Sequence, residues 1–89
     1  MQTVTFHNDD QGDLFIKVWD LNQQDDQGQP VLVQPQVRLN RDATMNVSVQ
    51  EDGDNHIRYR WWAQRADDPS KVAQHDDDKN PEDVTTFFG

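Results

Sequence analysis

The chain contains no cysteine, only two glutamates against fifteen aspartates, only two serines, and no apolar run long enough to span a bilayer. Each scarcity removes a class of protein. Without cysteine, neither disulfides nor thiolate metal centres can hold an 89-residue fold together, and packing alone has to suffice. Neither Ser48 nor Ser70 lies in a strained, glycine-flanked turn, so nucleophilic catalysis has little to work with and the chain does not read as an enzyme. Eight basic residues against seventeen acidic ones leave a formal net charge of -9, which argues against nucleic acid, because phosphate binding draws its energy from neutralising cations. Met1 is followed by polar Gln2 and Thr3, with no basic or apolar leader; the expectation is a soluble, cytoplasmic monomer with no membrane partner and no cofactor.

Aliphatic material is also thin. Leu, Ile, Val and Phe number 19 of 89, close to the composition at which high net charge leaves a chain disordered. Order therefore rests on pattern and on the three tryptophans and one tyrosine, each able to bury on the order of 150 to 250 Å². The aspartate skew points to turns, since Asp suits turns and caps and is poor inside helices and strands. A surface adapted to high salt is the second reading of the same skew.

Period-2 alternation runs through most of the chain. Val4 and Phe6 mark a strand over residues 2 to 7, followed by a turn at residues 8 to 12. Leu14, Ile16 and Val18 alternate with Phe15, Lys17, Trp19 and Leu21, a strand apolar on both faces and so central, with Trp19 assigned to the core. Residues 22 to 30 form a polar loop. Val31, Val33, Val37 and Leu39 share a parity across Pro35, which cannot donate to a ladder and so places residues 31 to 39 at an edge or at a bend between sheets. Met45, Val47 and Val49 point inward from residues 44 to 50.

Residues 51 to 55 form a turn, with Asp52-Gly53 as the expected left-handed pair, and the chain enters a run that carries three of its five arginines and three of its eight aromatics. Ile57, Tyr59, Trp61 and Ala63 form one face of that strand; Arg58, Arg60, Trp62 and Gln64 form the other. The first face is core. Residues 44 to 50 and 56 to 65 are expected to pair as a hairpin, merging Thr44, Asn46, Ser48 and Gln50 with Arg58, Arg60, Trp62 and Gln64 into one outward surface. Residues 66 to 83 carry the weakest pattern and read as a polar acidic loop, with Asp68 placed to cap a turn at Pro69. Residues 84 to 88 close the fold with two docked phenylalanines.

These features describe an all-β protein: one domain over residues 1 to 89, a small antiparallel β-sandwich, immunoglobulin-like, of six or seven short strands. A small barrel is the alternative. His7, His56 and His75 read as surface histidines near strand ends or in the acidic loop. Asp76-Asp77-Asp78-Lys79-Asn80 begins like a calcium loop, but Pro81 stands where glycine is needed and Phe87 where the bidentate glutamate belongs. Looser divalent sites remain in His75, Asp76 and Asp78, or in Asp52, Asp54 and Asn55. The leading functional expectation is a non-catalytic interaction module that binds a protein through Arg58, Arg60, Trp62, Gln64, Asn46 and Ser48, with the Pro35 edge open to a partner strand. The alternatives are a carbohydrate-binding module with Trp62 as stacking plate and a calcium-dependent structural protein. On the bland reading, Trp62 is covered by residues 66 to 83, or Arg60 lies over it as a cation-π pair.

Overall fold

The computed structural model describes residues 1 to 79 and 83 to 88, and contains seven strands. These are β1 Gln2–His7, β2 Leu14–Gln24, β3 Pro30–Leu39, β4 Thr44–Val49, β5 Ile57–Arg65, β6 Val72–Lys79 and β7 Asp83–Val84. Two separate sheets, ordered β4-β1-β7 and β3-β2-β5-β6, pack face to face as a β-sandwich, which replaces the barrel alternative. All pairings are antiparallel except β7 beside β1. Among the described residues no helix is long and apolar enough to cross a membrane.

Alternation decides what the sandwich encloses. Val4 and Phe6 of β1 and Val47 and Val49 of β4 face Leu14, Ile16 and Val18 of β2 and Ile57, Tyr59, Trp61 and Ala63 of β5. Phe87 docks near Phe6 and Trp61, 5.2 Å from the Trp61 ring in an edge contact. The expected closing strand shrinks to Asp83–Val84, while the docking of the C-terminal aromatic holds. Asn80 and Pro81 of the calcium-like run lie outside the described residues.

Three expectations are corrected. First, β4 and β5 do not form a hairpin: β4 pairs with β1, and β5 pairs with β2 and β6 in the opposite sheet. Only a Glu51–Ile57 bridge survives of the expected ladder. The apolar parity of β4 fixes which face it buries and leaves its neighbour open. Two polar side chains of β2 take up backbone groups at the crossover. The Asp20 carboxylate, fully buried, accepts from the Gln50 N–H at 2.7 Å, and the Asn22 amide donates to the carbonyls of Gln50 and His56. Within the turn the left-handed residue is Asn55, at φ 62°, and Gly53 is not among the positive-φ residues.

Second, the acidic loop expected over residues 66 to 83 contains β6, which pairs with β5 from Ile57↔Lys79 to Gln64↔Val72. Two consecutive aspartates find partners on opposite faces: Asp76 holds Arg60 on the outer face, and Asp77 accepts from Tyr59 Oη on the inner one. Cross-strand pairs of this kind override the low strand propensity of aspartate on an edge that has only one neighbour. The turn expected at Pro69 forms as a single non-helical turn, closed by the Lys71 N–H on the Asp68 carbonyl at 2.9 Å, and the Asp68 carboxylate accepts from the Ser70 N–H and hydroxyl. Third, Trp19 is not core. It lies half-buried on the outer face of β2, opposite Leu32 and Arg60.

The Pro35 segment is an edge strand, as its proline requires. Pairing with β2 slips between Ile16 and Val18, where Pro35 and Gln36 are passed over. At the opposite end of β2, buried Asn8 mirrors the Asp20 clamp, donating to the carbonyls of Gly12 and Leu39 and accepting from the Asp10 N–H.

Candidate functional site

The outer face of the four-stranded sheet is built by strand alternation from β2, β5 and their neighbours. Across β2 and β5, Phe15 lies opposite Gln64, Lys17 opposite Trp62, and Trp19 opposite Arg60. These six side chains are all half-buried, and no described strand packs over them, because the second sheet occupies the other side. Leu32 of β3 and Val72 of β6 extend the apolar area and are 43% and 48% exposed.

Trp61 and Trp62 divide as expected: Trp61 is 4% exposed in the core, and Trp62 faces outward. Of the predicted site residues, Arg58, Arg60, Trp62 and Gln64 share this outer face, while Asn46 and Ser48 lie on β4 in the other sheet. Thr5 donates to Asn46, and Ser48 lies opposite Thr3. The single merged surface therefore does not form, and the six residues are not one site.

The arginines of the strip are less available than the sequence suggests. Arg60 makes two hydrogen bonds to Asp76, at 2.7 and 3.0 Å. That pairing raises the Arg60 pKa above its ordinary value and holds the Asp76 carboxyl below its own. Arg58 lies across from Asp78 in the ladder. Gln64 donates its amide to the Pro69 carbonyl at 3.0 Å.

Lys17 is the residue that sequence reasoning passed over. Its ammonium lies 4.3 Å from the Trp62 ring centroid and 5.6 Å from that of Trp19, a cation-π contact with both indoles. The expected partner of Trp62, Arg60, is engaged by Asp76 instead. The signal lies in the Phe15, Lys17, Trp19 parity of β2, which reads as interior when both faces of a central strand are expected to be covered. Arg38, over the Phe15 ring at 5.8 Å, is tied to Asp13 at 2.7 Å. That hydrogen bond, together with the Arg41 N–H, lowers the Asp13 pKa.

Strand geometry separates the candidate metal ligands His75, Asp76 and Asp78. His75 opposes Trp61 on the inner side of β6, whereas Asp76 and Asp78 oppose Arg60 and Arg58 on the outer side. Asp52 spends its carboxylate on the N–H groups of Asp54 and His56, which lower its pKa, so the second proposed set serves a turn. Among the described residues, the group whose ligand atoms come within 4.8 Å of one another is His7, Asp9 and Asp42. His7 there bridges Thr44 Oγ1 at 2.8 Å and Asp9 Oδ1 at 3.0 Å.

Comparison of the chain with known protein families, with curated proteins and with solved structures finds no match.

Proposed function

We propose that the protein is a non-catalytic interaction module, immunoglobulin-like in its connections, that binds a protein partner on the outer face of the four-stranded sheet. The observation that carries this reading is the set of half-buried Phe15, Trp19 and Trp62 on a face that no described strand covers. A small acidic chain with few apolar residues has every reason to enclose three large aromatics, and such patches on an outer surface mark contact sites. The interlocked pairing of β1 with β4 and of β2 with β5 in opposite sheets supports the immunoglobulin-like reading. The geometry favours protein over glycan, because the Trp62 ring already carries the Lys17 ammonium where a stacking sugar would need it clear.

Selection of a displayed random peptide library on the wild-type protein, with counter-selection on Trp62→Ala, tests the reading. Recovered peptides are expected to shift the indole N–H resonances of Trp19 and Trp62 and to leave that of buried Trp61 in place. Recovery of peptides that act only on other resonances, or of none that discriminate the variant, contradicts it.

A further inference from the structure

Lys17 distinguishes this face from an apolar patch. Among the described side chains, the lysines and arginines that are half-buried are Lys17, Arg60 and Arg65. Arg60 is neutralised by Asp76, and Arg65 by Asp10 and Asp67 at 3.3 and 3.1 Å. Lys17 forms no ion pair with any described residue, in a chain that carries seventeen carboxylates.

The carboxylates nearest to it in sequence are committed elsewhere: Asp13 to Arg38 and the Arg41 N–H, and Asp20 to the buried crossover clamp. The surroundings of Lys17 are acid-poor as well. Residues 27 to 41, which include the whole of β3 beside it, hold no Asp or Glu, while the opposite edge strand β6 carries Asp76, Asp77 and Asp78 in succession. On the outer face the β6 acids Asp76 and Asp78 stand against Arg60 and Arg58, and Asp77 turns inward to Tyr59, which leaves the Lys17 ammonium uncompensated among aromatics toward β3. An ammonium 4.3 Å from the Trp62 ring centroid has given up water on its ring-facing side, and a carboxylate delivered to it forms a charge-assisted hydrogen bond beside an apolar surface.

Resting on the reading of this face as a protein-binding surface, we infer that Lys17 is a carboxylate receptor and that the partner is a segment presenting an acidic side chain flanked by apolar or aromatic ones. The acid pairs with the Lys17 ammonium, and the flanking groups lie on Phe15, Trp19 and Trp62. The overall charge of -9 repels acidic partners at long range, so selectivity comes from this short-range pairing and not from steering.

The displayed random peptide library is the probe, panned in parallel on wild type, Lys17→Met and Lys17→Arg. Methionine keeps the length and apolar character of the stem, and arginine keeps the charge; an unchanged Trp61 indole resonance reports that each variant is folded. Peptides recovered on wild type are expected to be enriched in Asp or Glu beside aromatic residues. They should bind Lys17→Met about tenfold or more weakly, bind Lys17→Arg within about threefold, and lose affinity when their acids are exchanged for amides. Peptides that shift the Trp19 and Trp62 resonances yet bind Lys17→Met as well as wild type overturn the carboxylate inference and leave the binding face intact. A library that yields nothing acting on those two indoles overturns both.

Discussion

Single side chains fix the course of this chain at two places. Asp20 and Asn8 are fully buried and satisfy backbone groups of segments far away in sequence, at the β4–β5 crossover and at the β3–β4 connection. Removing such a side chain leaves buried N–H or C=O groups unsatisfied, at about 1 to 3 kcal/mol for each group. Asp20→Ala is therefore expected to lower stability by about 3 kcal/mol in urea titration, and a loss below about 1 kcal/mol would show that water replaces the clamp. Trp61→Ala empties core volume and should cost about 3 to 5 kcal/mol, whereas Trp62→Ala on the outer face should cost about 1 kcal/mol or less. The Trp61/Trp62 division was legible from alternation alone. Asp20 was not, because one clamp aspartate among fifteen carries no local mark that separates it from a turn residue.

Among the secondary-structure elements, β1 to β5 were legible because their apolar residues recur every second position. β6 was not, because its sequence VAQHDDDK offers almost no apolar parity and takes its strand form from pairing with β5. The alternation of β4 identifies the face it buries but not the strand it pairs with, which is β1. The Arg60–Asp76 pair has a pH signature. Asp76 is lowered by Arg60, Asp13 by Arg38, Asp52 by the His56 N–H and Asp68 by the Ser70 hydroxyl, all from an ordinary value of 3.8. A carboxyl lowered on folding adds stability above its unfolded value and loses that contribution as pH falls through its folded value. These four contributions are thus complete at neutral pH and fade as pH drops below 3.8. Asp76→Asn is expected to narrow the difference in urea midpoint between neutral pH and about pH 3, most simply by lowering the neutral value. An unchanged difference would mean that the exposed pair is screened away.

At the scale of the molecule, a chain of net charge -9 carries one outer sheet face that holds three half-buried aromatics and Lys17. The sequence indicated that the outward side of β5 was unusual, and the structure supplies its true neighbours, Phe15, Lys17 and Trp19 of β2 in place of Asn46 and Ser48 of β4. Strand order is a non-local property that a period-2 pattern does not encode. Everything proposed for function depends on β2 and β5 sharing an uncovered face. The most direct test is an indole and side-chain NMR experiment on the free protein in the presence of a soluble paramagnetic agent. The account predicts nuclear Overhauser contacts between Lys17 and the Trp62 ring, with the indole N–H signals of Trp19 and Trp62 broadened and that of Trp61 protected. Contacts from Trp62 to Asn46 or Ser48, or protection of Trp62 equal to that of Trp61, would contradict it.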